Sequence, residues 1–105
     1  MESMPLQDFF KIHSTLNEDE IILDVRTPAE FQEGHIPGSK NINHEDVTQH
    51  LDELKQYKKI YIFCRRGGRA QVATSMLAQH GLTNMICIPD AGMDVWREHG
   101  YPVEN

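Results

Sequence analysis

The chain has 105 residues, of which 39% are hydrophobic and 25% are charged, with a formal net charge of −6. We expect one domain over residues 1–105, because this length supports one hydrophobic core but not two. The acidic balance disfavours binding to nucleic acid and to anionic membranes. The acidic N-terminal residues lack a signal peptide's basic and apolar regions, and no apolar run approaches the ~20 residues that span a bilayer. We therefore expect a cytoplasmic protein with free thiols at Cys64 and Cys87.

The sequence alternates helical patterns with short apolar runs. The runs resemble strands that are buried on both faces, and the segments between them have apolar residues at helical spacing. In chain order, the predicted elements are a helix over 5–13, a strand over 21–25, a helix after Thr27, a short strand over 40–43, one or two helices over 44–57, a strand over 60–63, a helix over 70–80, a strand over 85–88 and a helix over 91–96. This order predicts an α/β fold with a parallel sheet covered by helices.

Two of the predicted helices carry recognisable end signals. Thr27 can cap the helix that follows it, Pro28 fits its first position, and Glu30 completes a capping box. Gly81 is a natural stop for the helix over 70–80, because glycine accepts the left-handed backbone conformation common at helix C-termini. These signals predict where both helices begin or end.

A basic, glycine-rich loop directly follows the strand-like run over 60–63. The run ends at Cys64, and the loop that follows it consists of Arg65, Arg66, Gly67, Gly68 and Arg69. A cysteine at a strand–loop–helix junction faces backbone N–H groups and the positive end of the helix dipole. Helix N-termini and cationic neighbours favour the thiolate, which is the nucleophilic form of cysteine. The pattern therefore predicts a nucleophilic Cys64, in preference to a structural cysteine beside a solvated loop.

Several segments, in order, resemble the rhodanese family of sulfurtransferases. They are Leu23-Asp24-Val25-Arg26, Glu30-Phe31, Gly34-His35-Ile36-Pro37-Gly38, Asn41-Ile42, the loop over 64–69, Gly92 with Trp96, and Gly100-Tyr101-Pro102-Val103. The resemblance implies a three-layer fold in which helices flank a central parallel sheet of about five strands. It also implies a persulfide on Cys64 and requires no cofactor. Ala91 and Ser39 depart from the residues that are frequent in the family at those positions.

The resemblance suggests a role for each loop residue. In the implied cycle, Cys64 takes a sulfane sulfur from a small anionic donor such as thiosulfate and passes it to cyanide or a thiol. Gly67 and Gly68 would let backbone amides converge on the terminal persulfide sulfur. Arg65, Arg66 and Arg69 are predicted to attract and orient the anionic donor or the departing sulfite.

Other polar residues are predicted to support this site. Asp24 and Arg26 follow a buried strand and should lie near Cys64 at the carboxyl edge of the sheet, where they brace the loop or pair with neighbours such as Glu30. His35 is predicted to brace the loop, because an ionised thiolate needs no general base. The remaining histidines lack ligand spacing, so we expect no metal site. Cys87 is predicted to be a core residue of its strand.

Two alternatives to small-molecule sulfur transfer remain at this point. Cysteine phosphatases and arsenate reductases with this fold use a Cys-x5-Arg loop, whereas Arg69 follows Cys64 by five positions and gives Cys-x4-Arg. The shorter loop makes a smaller cradle and favours sulfur over phosphate. The other alternative is a binding or regulatory module, whose most specific form relays sulfur from Cys64 to an acceptor protein.

Overall fold

A five-stranded parallel sheet organises the computed structural model, which describes residues 2–64 and 68–105. The strands are β1 (Glu2–Ser3), β2 (Glu20–Asp24), β3 (Lys40–Asn41), β4 (Lys59–Cys64) and β5 (Met85–Pro89). Across the sheet they lie in the order β1-β5-β4-β2-β3, and each neighbouring pair is parallel. The helices are α1 (Leu6–Ile12), α2 (Pro28–Glu33), α3 (Leu51–Leu54), α4 (Arg69–Gln79) and α5 (Met93–Glu98), with a 3-10 turn over Val47–His50 before α3.

The register of the sheet aligns the strand ends that carry the predicted site. Leu23 of β2 pairs with Ile62 of β4, and Cys64 of β4 pairs with Pro89 of β5. Asp24 therefore ends β2 beside the last residues of β4. Because these strands are parallel, their carboxyl ends lie at one edge of the sheet, which is where α/β proteins gather ligand sites.

Both faces of the sheet are buried, as the continuous apolar runs predict. One face packs against α3 and α4, with a core that includes Ile60, Ile62, Ala73 and Leu77. The core on the other face is built on the following buried residues: Phe9, Ile22, Ile36, Tyr61, Ile86, Ile88, Ala91, Met93 and Trp96. Neighbouring β4 residues thus face opposite cores, and this alternation fixes which way each side chain points.

The predicted helix ends are confirmed. Thr27 and Glu30 form the capping box at the start of α2, with both reciprocal hydrogen bonds present. Gly81 has a φ of 90° after α4, and the N–H of Leu82 donates to the carbonyl of Leu77. Both motifs act within a few residues, which is why the local sequence predicted them.

Three details of the fold differ from the sequence prediction. The strand predicted over 40–43 is limited to Lys40–Asn41. The one or two helices predicted over 44–57 are present but shorter, as a 3-10 turn followed by a single turn of α-helix. β1 was not predicted at all. Its residues, Glu2 and Ser3, are exposed and polar, and they form a strand only because Ile86 and Cys87 of β5 pair with them. Such pairing depends on a distant strand rather than on local propensity.

Candidate active site

A cavity of about 290 Å³ opens at the carboxyl edge of the sheet. Its walls come from the end of β2, from Glu30, Ile36 and Ser39, from Phe63, and from two segments that follow β4 and β5, residues 68–70 and 91–94. Apolar residues of both cores line it, together with five charged residues, Asp24, Arg26, Glu30, Arg69 and Asp94. The cavity can therefore offer a small molecule both apolar and charged contacts.

Cys64 is the last residue of β4 and does not itself line the cavity, although Phe63 before it and Gly68 after it do. The side chain is buried, at 6% exposure, on the face of the sheet that α4 covers. Its Sγ lies 3.7 Å from the Ile62 carbonyl oxygen, to which the thiol can donate, and 3.6 Å from Thr74 Oγ1. The sulfur is thus held at the end of a strand among hydrogen-bonding groups.

Cys87 lies on the neighbouring strand and packs against the same core as Cys64. Both cysteines are free thiols. Burial, together with a hydrogen bond to Cys64 and the charge of a Cys64 thiolate, raises the pKa of the Cys87 thiol to about 12. Cys87 therefore stays protonated at neutral pH and can donate its S–H to the sulfur of Cys64.

Asp24 and Arg26 form an ion pair at the end of β2. Arg26 Nη2 lies 2.7 Å from Asp24 Oδ2, and its Nε donates to Asp24 Oδ1 at 3.0 Å. Arg26 also donates to the main-chain oxygens of Glu30 and Gly34, so it ties β2 to α2. These contacts match the pairing interpretation, although Arg26 reaches the main chain of Glu30 rather than its carboxylate. Any part that the pair plays in bracing the loop stays a prediction.

The carboxylate of Glu30 instead pairs with Arg69, the first residue of α4. Both oxygens of Glu30 accept hydrogen bonds from the guanidinium of Arg69, one of them at 2.8 Å. Hydrogen bonds from Arg69 and Thr27 lower the pKa of Glu30 to about 2, whereas burial opposes the shift. The pair links the start of α4 to the capping box of α2 across the cavity. The predicted contact of Arg69 with an anionic substrate is not tested by this geometry.

His35 is buried beside α2 and the C-terminal segment. Its Nδ1 lies 2.7 Å from the carbonyl oxygen of Phe31, and its ring stacks on the Phe31 ring with centroids 3.7 Å apart. Its backbone pairs with that of Glu104. These contacts hold the segment after α2 in place, and a direct role of His35 in bracing the loop remains a prediction.

The predicted loop residues fall into two groups. Arg65, Arg66 and Gly67 lie outside the described residues, so their predicted roles stand as predictions. Gly68 precedes α4 as its N-cap residue and lines the cavity with Arg69. Ala91 and Ser39, the two departures from the family pattern, also line the cavity.

Within residues 2–64 and 68–105, no cluster of three or more His, Cys, Asp or Glu side chains could hold a metal ion.

Sequence reasoning missed Thr74. This residue lies on α4, is 3% exposed, and donates to the carbonyl oxygen of Ala70 at 2.6 Å while contacting Cys64 Sγ. The available signal was its position between Ala73 and Leu77, which both face the core. A threonine on the buried face of a helix needs a hydrogen-bond partner, but the sequence did not show which group would be opposite it.

Comparisons with known proteins agree with this architecture. The family model of the rhodanese-like domain matches residues 11–99. The chain is 33% identical to a thiosulfate sulfurtransferase, GlpE, of Pseudoalteromonas translucida over 75% of the chain and 74% of that protein. It is 33% identical to a putative sulfur carrier protein, YrkF, of Bacillus subtilis over 83% of the chain and 46% of that protein. The crystal structure of a rhodanese-related protein from Thermoplasma volcanium has a TM-score of 0.79 and 31% identity, covering 99% of this chain and 98% of the other.

Proposed function

Since the chain belongs to the rhodanese-like domain family, we propose that it transfers a sulfane sulfur through a persulfide on Cys64. Relatives at about 30% identity are named as sulfurtransferases, which supports sulfur transfer as the general activity. The single observation that carries the assignment of Cys64 is its position: it ends a parallel strand at the carboxyl edge of the sheet, where Phe63 before it and Gly68 after it line the cavity. No helix in the described part of the chain is long and apolar enough to cross a membrane.

The proposed cycle has two steps that balance without a cofactor. The Cys64 thiolate attacks the sulfane sulfur of thiosulfate, the S–S bond of the donor breaks, and sulfite leaves with the bonding electrons. The product is a Cys64 persulfide anion. An acceptor such as cyanide or a thiolate then attacks the terminal sulfur, the new S–S bond breaks, and its electrons return to Cys64 Sγ as a thiolate. Backbone amides of the loop would stabilise the terminal sulfur.

Intact mass spectrometry after incubation with thiosulfate tests this cycle directly. We expect the wild-type protein to gain one sulfur atom and to lose it on addition of cyanide, with thiocyanate as the product. Cys64→Ser should gain none, whereas the matched control Cys87→Ala should gain and lose the sulfur as the wild type does. A wild-type protein that never gains sulfur, or a Cys64→Ser variant that still gains it, would show the assignment to be wrong.

Transfer of the sulfur to an acceptor protein is a second form of the same chemistry. The likeness to a putative sulfur carrier protein supports it, although the chain spans less than half of that relative. The comparison to make is the rate at which the Cys64 persulfide loses sulfur to cyanide, to a small thiol and to a protein with an accessible cysteine. A protein acceptor that reacts no faster than the small thiol at equal concentration would argue against a relay.

A phosphatase or arsenate reductase activity is disfavoured by the length of the loop. Arg69 follows Cys64 by five positions, which leaves a cradle one residue shorter than Cys-x5-Arg. An aryl phosphate should therefore be a poor substrate. Turnover of p-nitrophenyl phosphate at a rate comparable to that of thiosulfate would reverse this assignment.

A further inference from the structure

We propose that the Thr74 hydroxyl is a second catalytic group, which donates its hydrogen to Cys64 Sγ whenever that sulfur is anionic and to the Ala70 carbonyl when it is neutral. The inference rests on the proposed persulfide cycle and adds a residue that the cycle itself does not name. It comes from the placement of a buried hydroxyl between a helix carbonyl and the reacting sulfur.

The geometry offers the hydroxyl two acceptors. Thr74 Oγ1 lies 2.6 Å from the carbonyl oxygen of Ala70 and 3.6 Å from Cys64 Sγ, within hydrogen-bond range for sulfur. Threonine has a single hydroxyl hydrogen, so it serves one acceptor at a time. Rotation about the Cβ–Oγ bond moves the hydrogen from one acceptor to the other, while the oxygen and the rest of the side chain stay in place.

The surroundings of the sulfur favour such a donor. In the protonated state, the Cys64 thiol can donate to the carbonyl oxygen of Ile62 at 3.7 Å. Loss of that proton leaves an anion facing a carbonyl oxygen at a site that is only 6% exposed. Removing an anion from water is unfavourable unless hydrogen-bond donors replace that water. The Cys87 thiol is one such donor. Thr74, at 3% exposure, supplies a donor from inside the domain.

The charge on Sγ changes during the cycle, and the hydroxyl can follow it. Sγ is a thiolate before attack on the donor, becomes the neutral inner sulfur of the persulfide, and is again a thiolate when the acceptor has taken the outer sulfur. Thr74 therefore stabilises the leaving thiolate in the second step, and its own proton stays on Oγ1 throughout. In the persulfide state, the hydrogen returns to Ala70 and leaves no buried donor unpaired.

The decisive variant is Thr74→Val, which keeps the branched shape and removes the hydroxyl. Two readouts apply. The first is the pH midpoint for alkylation of Cys64 by iodoacetamide, which mass spectrometry of the Cys64 peptide measures. The second is the rate at which the isolated persulfide loses sulfur to cyanide. Loss of a hydrogen bond to a charged group should raise the midpoint by about one pH unit and slow sulfur loss roughly tenfold. Thr74→Ser keeps a hydroxyl, so its midpoint should stay near that of wild type and its rate of sulfur loss within about threefold of wild type.

Ser75→Ala is the matched control, since Ser75 is an exposed hydroxyl on the same helix, and it should change neither readout. The thiol of Cys87 lies near the sulfur, and the charge of Asp90, directly after β5, acts on Cys87. All variants retain both groups. Circular dichroism checks folding, and if Thr74→Val does not fold, Thr74→Ala replaces it.

A valine or alanine variant with the wild-type alkylation midpoint and the wild-type rate of sulfur loss would overturn the proposal. The alkylation readout requires no sulfur transfer, so failure of the persulfide cycle and failure of the Thr74 role are distinguishable.

Discussion

The two cysteines occupy neighbouring strands and pack on the same side of the sheet, yet their surroundings differ. Cys64 ends β4, and Cys87 lies in the middle of β5. Cys64 is buried and Cys87 is half-buried, so exposure alone would select Cys87 as the reactive thiol. Cys87 is instead held protonated, because burial and the adjacent Cys64 raise its pKa to about 12.

On the proposed assignment of Cys64 as the nucleophile, position along a strand matters more than exposure for this chemistry. A side chain in the middle of a strand faces the flat packing surface of the neighbouring helix, and the backbone N–H groups around it are engaged in the sheet. A side chain at the carboxyl end faces the loop and the first turn of the next helix, where backbone N–H groups are free to stabilise an anion. Phe63, directly before Cys64, also lines the cavity.

The largest effect expected from this comparison is the loss of activity in Cys64→Ser. A serine hydroxyl is a poor nucleophile toward sulfur and cannot form a persulfide, so thiocyanate formation from thiosulfate and cyanide should fall by about 10³-fold or more. Cys87→Ala should retain activity to within about threefold. Comparable losses in both variants would mean that the two thiols act as a pair rather than as a nucleophile and its neighbour.

Alkylation at pH 8 should label Cys64 much faster than Cys87. With a pKa of about 12, only roughly one Cys87 in ten thousand is a thiolate at that pH, and the thiolate is the reactive form. The labelling rate of Cys87 should then rise about tenfold for each pH unit up to pH 10. Peptide mass spectrometry with iodoacetamide gives both rates, and equal labelling of Cys64 and Cys87 at pH 8 would contradict the assignment.

Asp24→Ala should loosen the edge of the sheet beside Cys64 while leaving β5 intact. The Asp24 and Arg26 side chains are 10% and 19% exposed, so removal of the carboxylate leaves a half-buried guanidinium without its ion-pair partner. We expect the free energy of unfolding to fall by roughly 2 kcal/mol, between the values for exposed and buried pairs. Urea unfolding measures the change, and Asp24→Asn, which keeps one oxygen acceptor, should cost less. Equal stability of Asp24→Ala and wild type would contradict this account.

The smallest effect should come from the Glu30–Arg69 pair. Glu30 is 38% exposed, and solvent screening limits its contribution to about 1 kcal/mol or less. Its pKa is lowered from 4.5 to about 2 by folding, so the stabilisation is fully present above about pH 4.5 and is lost as the pH falls toward 2. Glu30→Gln, which keeps an acceptor for the capping box, should be less stable than wild type at pH 7.

Urea unfolding of wild type and Glu30→Gln at pH 7 and near pH 2.5 checks the direction of this dependence. The difference in the free energy of unfolding should shrink at the lower pH, because the carboxyl of the unfolded chain, with a pKa near 4.5, is protonated there and folding must ionise it before it can pair with Arg69. Thr83→Ala, an exposed side chain remote from the pair in sequence, serves as a control whose small effect should not vary with pH. A difference for Glu30→Gln that is the same at both pH values would show that charge pairing contributes nothing measurable.

Much of the site could be predicted from local sequence. The run over 60–63 ending at Cys64, the capping box at Thr27 and the stop at Gly81 are each formed by residues a few positions apart, so their physical causes can be read directly. The partner of Glu30 could not be predicted, because Arg69 lies 39 positions away in sequence. The same holds for β1, which is a strand only in the presence of β5.

By itself, the sequence determined the alternation of strands and helices, the parallel sheet, and the position of a cysteine at the end of a strand with arginines and glycines behind it. These features follow from apolar periodicity and from residues that act on their own neighbourhood. The tertiary structure alone decided that Thr74 contacts Cys64, that Cys87 lies beside Cys64 and stays protonated, and that Glu30 engages Arg69. The reason is physical: the energy of a buried sulfur or an ion pair depends on groups that the fold brings within a few ångströms of each other.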